Sequence, residues 1–372
     1  MKANSVLGII YSNAYDTALP ELTGLRTMGS VPFAGRYRLI DFPLSNMVNS
    51  GISKVGVITK SNYRSLMDHL GAGKPWDLSR KLDGMFILPP FSGAGASGVY
   101  QCRIEALYGS LGFIKRCTDE YVVMCDCNVV CNMDLGRLFD AHRASGADIT
   151  IAYQHGTAPA LDDIMTFSFD DGGRINGASV FNGGTEDTDF SLNIFLMRKS
   201  LLERLVTEAA GLKMLDFETD VIIRNLGALK IHGFKADGYT RVIDSLQSYY
   251  SFSMELLDSG VRAGLFRPEG PVYTKPRDSM PAFYAWGSDA KNCLVASGCV
   301  IEGEVENSIL FRGAHVSAGA SVKNSILLQD TFIGANAKVS CVITDKRAVI
   351  RPGRNLSGAE NYPFFVGKEI VI

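Results

Sequence analysis

The chain has 372 residues, 46% of them hydrophobic and 20% charged, which is a globular composition at a length that favours two domains. Lysine and arginine total 37 against 39 acidic residues, and this balance excludes a polybasic nucleic-acid surface and an acidic disordered tail. The apolar run that ends at Tyr11 is too short to span a membrane and has no small-residue cleavage site after it. We therefore expect a cytoplasmic protein with no nucleic-acid or membrane partner.

Short β-rich segments alternate with helical segments over roughly the first 250 residues. The predicted strands are residues 6–11, 54–59, 120–125 and 148–153, and the predicted helices are residues 43–50, 63–70, 104–114 and 135–145. This alternation predicts an α/β, Rossmann-like domain, in which helices cover both faces of a mostly parallel sheet. Ligands of such domains bind beyond the carboxyl ends of the strands.

A different rhythm begins after Asn292. Aliphatic residues recur every six positions, as at Leu310, Val316, Val322 and Leu328, with glycine or small residues beside them. A six-residue period fits neither a helix nor a flat strand, but it is typical of a left-handed parallel β-helix, in which each short side carries one inward aliphatic residue. We predict about three coils over residues 294–349 on that repeat logic. A β-sandwich of short strands is the alternative.

Two other patterns invite a binding interpretation that we do not favour. Cys125, Cys127 and Cys131 cluster, but alternate strand residues face opposite sides and no second CxxC or histidine pair accompanies them. We therefore predict small buried thiols and no metal site. The glycine-rich run at residues 93–98 lacks the strand–loop–helix context and the lysine of a phosphate-binding loop, so we interpret it as a surface loop.

The most distinctive segment is residues 31–52, which read VPFAGRYRLIDFPLSNMVNSGI. This segment closely resembles the signature of the glucose-1-phosphate adenylyltransferase (ADP-glucose pyrophosphorylase) family, VPFGGKYRLIDFPLSNxxNSGI. The resemblance continues at residues 121–124, 215–220 and 306–313, so it covers nearly the whole chain. It implies a nucleotidyltransferase-like domain at residues 1–255, a linker at 256–291, a left-handed β-helix at 292–372, and a tetrameric assembly in glycogen synthesis.

The family's phosphate-binding loop is absent. Its GGxGxRL motif corresponds here to residues 12–19, SNAYDTAL, which keep none of the glycines that let backbone amides approach a phosphate. Ala18 stands at the position of the catalytic arginine, and Met28 at the position of a lysine. Asp16 adds a carboxylate where a phosphate is expected to lie. The loop glycines and two of the three cations are thus lost together, and only Arg26 remains.

The family's metal carboxylates are also missing. Asn128 stands at the first ligand aspartate and Val242 at the second, and neither side chain is a ligand that holds Mg²⁺ against water. Asp126 and Asp244 lie two residues away, but that is a displacement of about 6–7 Å along a strand. The sugar-phosphate lysine is absent as well. We therefore expect no catalytic residue, no metal and no bound cofactor in this chain, with Mg²⁺ held only by a catalytic partner.

Arg26, Arg36, Arg38 and Asp41 are retained or conservatively changed. We interpret them as vestigial substrate-binding residues, repurposed to sense a sugar phosphate or a nucleotide, or else as a structural ion-pair network. The whole pattern is similar to the GlgD-type non-catalytic subunits, which modulate a catalytic pyrophosphorylase subunit in a hetero-oligomer. A homo-oligomer, an active enzyme with relocated carboxylates such as Asp126 or Asp244, and a stand-alone sugar-phosphate or nucleotide sensor are the alternatives.

Overall fold

The computed structural model describes residues 6–81, 83–90, 99–181 and 187–372, so the run at 93–98 lies outside the described residues. The strands of the first part are β1 (Val6–Tyr11), β2 (Pro32–Phe33), β3 (Tyr37–Arg38), β4 (Lys54–Ile58), β5 (Gly84–Leu88), β6 (Tyr121–Asp126), β7 (Val129–Cys131), β8 (Ile149–Thr157), β9 (Ile164–Phe169), β10 (Ile175–Phe181), β11 (Asp187–Arg198), β12 (Ile231–Lys235) and β13 (Thr240–Val242). Its helices are α1 (Pro20–Thr23), α2 (Asp41–Asn49), α3 (Arg64–Leu70), α4 (Arg103–Arg116), α5 (Leu135–Ser145), α6 (Lys199–Gly211), α7 (Leu246–Glu255) and α8 (Ser259–Leu265). Every predicted strand and helix of this part is present.

Seven strands form the main sheet in the order β5–β4–β1–β6–β11–β8–β12. All of them run parallel except β11, which is antiparallel to both β6 and β8. The β9–β10 hairpin pairs with the first half of β11. The predicted Rossmann-like, mostly parallel sheet is confirmed.

The central strand β1 separates two apolar cores, one on each face of the sheet. Val6 and Ile10 pack into one core, and Leu7 and Ile9 into the other, as the two-residue period of a strand requires. Gly8 lies where helix α2 crosses the strand. A Cβ atom at Gly8 would stand 2.6 Å from the sulfur of Met47, so a larger residue at this position would force the Met47 side chain to shift.

The second part of the chain is built from short strands with tight corners between them. They are β14 (Phe283–Tyr284), β15 (Asp289–Lys291), β16 (Leu294–Val295), β17 (Val300–Ile301), β18 (Glu304–Glu306), β19 (Ile309–Leu310), β20 (His315–Val316), β21 (Ser321–Lys323), β22 (Ile326–Leu327), β23 (Phe332–Ile333), β24 (Lys338–Ser340), β25 (Val342–Thr344), β26 (Val349–Ile350), β27 (Asn355–Ser357) and β28 (Phe364–Val366). They form three parallel sheets of five strands each. Each strand pairs with the strand three positions further along the chain, as β14 does with β17. This architecture confirms the predicted left-handed parallel β-helix.

The β-helix packs directly on the α/β domain. Ile309, Ile326 and Ile343 are stacked neighbours in one sheet, and their side chains belong to the same apolar core as Val6 and Ile10. Helix α8 and strands β14 and β15 lie within residues 256–291, which we predicted as a linker, so the domain boundaries stay a prediction. Within the described parts of the chain, no helix is long and apolar enough to cross a membrane.

Candidate functional site

A cleft of about 800 Å³ opens beyond the carboxyl ends of β1 and β4, where ligands of parallel α/β sheets bind. Tyr11 ends β1 and Lys60 follows β4, and both line the cleft. Its remaining walls come from the loop after β1, the start of α4, the segment that follows β8 and the short helical turn around Phe217.

The loop after β1 is closed by its own side chains. The Asp16 carboxylate accepts a hydrogen bond from the backbone N–H of Met28 and another from the Asn13 amide, each at 2.7 Å. Burial raises the pKa of Asp16 to about 6. Tyr15 adopts a left-handed backbone conformation with φ of 60°, and Ala18 lines the cleft without offering a cation. An internal carboxylate therefore takes the backbone N–H that a bound anion could have used.

The floor of the cleft carries an ion-pair network that the sequence reasoning missed. The Arg103 guanidinium donates to both oxygens of Asp126 at 2.9 and 2.6 Å, and its Nε lies 3.4 Å from a carboxylate oxygen of Glu218. Both carboxylates are buried. Burial raises the pKa of Glu218 to about 8, although Arg103 opposes that shift. One cation thus faces two buried carboxylates.

The two expected metal positions meet where strands β7 and β13 pair. The Asn128 amide donates to the carbonyl of Ile243 at 3.3 Å, and the Ile243 N–H donates to the Asn128 carbonyl at 2.8 Å. Val242 is buried beside them, and it pairs with Val129. The structure therefore places Asn128 and Val242 side by side, but an amide and an isopropyl group do not fit Mg²⁺.

The two neighbouring aspartates are held by other groups. Arg103 binds both oxygens of Asp126, and Asp244 accepts hydrogen bonds from the Ala160 N–H at 2.8 Å and the Ser245 hydroxyl at 2.9 Å. Among the described residues, no group of three histidine, cysteine, aspartate or glutamate side chains is arranged to hold a metal ion. The residues present do not fit a metal centre.

Arg26, Arg36 and Asp41 do not line the cleft. Arg26 makes a buried ion pair with Asp345 of the β-helix at 2.7 Å. Asp41 is fully buried and lies 2.6 Å from the Nε2 atom of His69. Arg36 lines a second, small pocket between the two domains, together with Arg38, whose charge interacts with those of Asp41 and Arg26.

That pocket is strongly basic, and we call it the basic pocket. Five cationic side chains line it: Arg36, Arg38, Lys275, Arg277 and Arg312. Lys346 lies close by, and burial together with Arg38 and Arg26 lowers its pKa to about 7. Of this group, Arg36 and Arg38 were predicted to bind an anion, and Lys275, Arg277 and Arg312 were not. The five cations come from three segments that are distant in sequence, at residues 36–38, 275–277 and 312, so no local sequence pattern could have assembled them.

An α/β domain with a ligand cleft beyond its parallel strands, followed by a left-handed β-helix, defines a nucleotidyltransferase-like protein with a hexapeptide-repeat domain. The family model described as "Nucleotidyl transferase" matches residues 8–160, and the model described as "GlmU-like, C-terminal hexapeptide" matches residues 285–361. Both matches agree with the fold.

Relatives that match this chain over most of its length identify the family within this class. The chain is 36% identical to the glycogen biosynthesis protein GlgD of Bacillus subtilis (strain 168), over 99% of this chain and 97% of the relative. It is 38% identical to GlgD of Geobacillus stearothermophilus, with the same coverage of both chains. It is 34% identical to the glucose-1-phosphate adenylyltransferase of Thermotoga sp. (strain RQ2), over 86% of this chain and 76% of that enzyme. The chain belongs to the family of glucose-1-phosphate adenylyltransferases and GlgD proteins.

Proposed function

We propose that this chain is a subunit of ADP-glucose pyrophosphorylase in glycogen biosynthesis, that it is catalytically inactive, and that it modulates a catalytic partner. The pairing of Asn128 with Ile243, beside buried Val242, is the observation that carries the proposal. In this reaction a phosphate oxygen of glucose 1-phosphate attacks the α-phosphorus of ATP, and diphosphate leaves. The reaction depends on charge neutralisation by a metal and by cationic side chains. Mg²⁺ then belongs to the catalytic partner alone.

The loop after β1 supports the same conclusion. Asp16 takes the Met28 N–H with its own carboxylate, and Ala18 supplies no positive charge to the cleft. Removal of a single electrostatic group from an active site costs on the order of 10²–10³ in rate. Because several groups are lost together, we expect turnover by the isolated chain to be negligible.

An active enzyme with relocated carboxylates is less well supported. Such an enzyme needs Asp126 and Asp244 to face a common metal. Arg103 binds both oxygens of Asp126, and a backbone N–H and a hydroxyl bind Asp244. Both carboxylates would have to break these contacts before they could coordinate an ion.

The basic pocket favours a role in sensing an anionic effector, which is a sugar phosphate or a nucleotide. Five cations converge there, with buried Arg26 and partly buried Lys346 nearby. Like charges crowded at a domain boundary repel one another, and a phosphate group relieves that repulsion. Effector binding in this pocket is a route by which the chain could influence a partner, and it also suits a stand-alone sensor.

Exposed apolar side chains on the first coil of the β-helix support assembly with a partner subunit. Trp286 is fully exposed, Met280 is 83% exposed, and Phe283 and Tyr284 are at least half exposed. Large exposed apolar side chains in one short segment are typical of protein interfaces. We propose that the chain joins its catalytic partner in a hetero-oligomer, as a tetramer, and that a homo-oligomer forms without the partner.

The proposal is tested by an assay of ADP-glucose formation with the chain alone, the catalytic subunit from the same organism alone, and the two mixed. We expect no activity from the chain and a changed rate or substrate affinity in the mixture. Normal activity of the isolated chain contradicts the proposed inactivity. An unchanged mixture favours the stand-alone sensor.

A matched variant tests the metal argument. The double substitution Asn128→Asp with Val242→Asp restores both carboxylates, so we expect Mg²⁺ to raise the melting temperature of this variant. The same ion should leave the unaltered chain unchanged. Equal stabilisation of both proteins by Mg²⁺ contradicts the assignment of the lost metal ligands.

A further inference from the structure

The three sheets of the β-helix differ in what their outward side chains contact. The sheet that contains β19 and β22 packs on the α/β domain, because Ile309 and Ile326 belong to the core of that domain. The sheet that contains β18, β21 and β24 presents charged side chains to solvent, such as the Glu306–Lys323 ion pair at 2.8 Å and the exposed Lys338. The third sheet, formed by β14, β17, β20, β23 and β26, presents mostly apolar side chains.

One outward column of this third sheet has six rungs, one from each coil and the last from the C-terminal segment, and we call it the apolar column. Strand pairing aligns its members in the order Phe283, Val300, His315, Phe332, Val349 and Val371. Each strand turns its next residue inward, since Ile301, Val316 and Ile333 are fully buried, so the column itself faces solvent.

The apolar column is exposed along its whole length. Phe283 is 57% exposed at one end, Phe332 is 37% exposed near the middle, and Val371 is 51% exposed at the other end. The His315 and Phe332 rings pack edge to face with their centroids 5.0 Å apart, so neighbouring rungs are in contact. A connected apolar surface of this kind indicates a face that another molecule covers.

Two opposite charges lie in the outward column beside it. Glu302 follows Ile301 on the second rung, and Arg351 follows Ile350 on the fifth. The Glu302 side chain is 38% exposed, and Arg351 is also exposed. Rungs of a sheet are about 4.8 Å apart, so these two charges are about 14 Å apart within one chain and cannot pair with each other.

We propose that two copies of this chain pair face to face through the apolar column, with their β-helices antiparallel. A twofold axis along the strand direction places the first rung of one copy opposite the sixth rung of the other. Phe283 then meets Val371 of the second copy, Val300 meets Val349, and His315 meets Phe332. No two phenylalanines face each other, so the sheets can approach to the usual distance of about 10 Å.

Charge complementarity identifies a second copy as the occupant. The same twofold axis places Glu302 directly opposite Arg351 of the second copy, and it does so twice in the dimer. The six rungs span about 24 Å, and a face of that length covers less than the roughly 800 Å² per partner of a standard interface. We therefore expect a reversible dimer with a Kd on the order of 10 μM. The inference rests on the proposed function, because it assigns a contact surface to the homo-oligomer proposed above.

The test is analytical ultracentrifugation of the full chain alone, from about 1 to 200 μM. We expect a monomer–dimer equilibrium. Glu302→Arg and Arg351→Glu should each raise the Kd at least about fivefold, because each brings like charges together between the copies. The double substitution Glu302→Arg with Arg351→Glu exchanges the two charges and should restore the Kd to within about twofold. Since the two positions are far apart within one chain, this rescue reports a contact between copies.

Phe332→Lys should raise the Kd at least about tenfold, because it places an unpaired charge in the apolar contact. Lys338→Glu is the matched control, since it reverses an exposed charge on the neighbouring sheet, and it should dimerise within about twofold of the unaltered chain. The melting temperature of each variant checks its folding. The charge exchange decides the outcome if Phe332→Lys does not fold.

A dimer that Phe332→Lys leaves unchanged, or a charge exchange that fails to restore the Kd, overturns this inference and leaves the proposed homo-oligomer in place. A chain that is monomeric at every concentration overturns both. If such a monomer binds the catalytic subunit and Phe332→Lys abolishes that binding, the apolar column belongs to the hetero-oligomer instead. The proposed inactivity and modulation depend on the ADP-glucose assay alone, so none of these results decides them.

Discussion

Asp16 is a partly buried carboxylate in the loop after β1, where it accepts hydrogen bonds from the Met28 N–H and the Asn13 amide at 2.7 Å each. Its pKa is about 6 in the folded chain against an ordinary 3.8, because burial disfavours its charge. Between these pH values the folded chain holds a proton that the unfolded chain has released. Stability from this group therefore falls as pH rises from about 4 to 6.

Asp16→Asn removes that titration. The free energy of unfolding of the unaltered chain should fall with pH and that of the variant should not. The difference between the two proteins should therefore grow in favour of Asp16→Asn by about 1–2 kcal/mol from pH 4 to pH 7, a value that allows for the partial solvent access of Asp16. Urea unfolding at the two pH values measures it. Asp171→Asn, at an exposed position, should show no such change. A constant difference between Asp16→Asn and the unaltered chain contradicts the prediction.

Lys346 makes the stability of the chain change with pH in the opposite direction. Burial, with Arg38 and Arg26 nearby, lowers its pKa to about 7 from 10.5, so the folded chain sheds a proton that the unfolded chain keeps. Stability should rise by about 2 kcal/mol between pH 7 and 9. Lys346→Met should flatten this slope in urea unfolding, while Lys338→Met at an exposed position should retain it. A slope that persists in Lys346→Met shows that other groups produce it.

At the scale of the element, one corner of the β-helix repeats a left-handed backbone. Asn292, Asn307, Asn324 and Cys341 stand at equivalent positions of successive coils, with φ between 44° and 53°. The N–H of each of the last three bonds to the coil before it. Asparagine tolerates this conformation better than other non-glycine residues, so Cys341 is the strained member of the series.

Cys341→Asn should therefore raise the free energy of unfolding by roughly 1 kcal/mol, and Asn324→Ala should lower it by about the same amount. Chemical denaturation of the two variants measures both changes. If Cys341→Asn is destabilising, the packing of the thiol contributes more to stability than asparagine gains by relieving the left-handed backbone strain.

Local sequence patterns were sufficient to predict the strands and helices. The cleft could not be predicted in the same way, because its residues are brought together by long-range contacts. The six-residue period predicted the β-helix because each of its sides buries one aliphatic residue, as Val316 and Val322 do. The losses at Asn128 and Val242 were visible because each falls within a motif. Glu218, by contrast, has its charged neighbours Arg103 and Asp126 on other elements. No periodicity links these positions, so the ion-pair network of the cleft could not be predicted.

At the scale of the whole molecule, a buried ion pair joins the two parts of the chain. Arg26 and Asp345 are 319 residues apart in sequence and 2.7 Å apart in space, and each side chain is 3% exposed. Asp345→Asn leaves Arg26 buried beside the cations of the basic pocket. It should therefore lower the free energy of unfolding by about 3 kcal/mol.

The double substitution Asp345→Asn with Arg26→Met should recover part of this loss, because it removes the unpaired charge. Urea denaturation of both single variants and of the double variant gives the coupling energy. Additive effects of the two substitutions contradict a direct ion pair as the link between the domains.

Assembly is the property that distinguishes a modulating subunit from a solitary sensor. Trp286 buries nothing in the isolated chain, since it is fully exposed on the first coil of the β-helix. Trp286→Ala should therefore leave the melting temperature of the isolated chain unchanged. A buried tryptophan at an interface contributes about 2 kcal/mol or more, so the complex with the catalytic subunit should dissociate at least roughly thirtyfold more readily.

Sedimentation of mixtures at several concentrations measures this dissociation. Leu212→Ala is the matched control, because Leu212 is also an exposed apolar residue, 65% accessible, but lies at the end of α6. The control should associate like the unaltered chain. If Trp286→Ala also associates normally, the first coil is not the contact surface. If only Trp286→Ala dissociates and also loses its effect on the partner's rate, the modulation depends on contact through this coil.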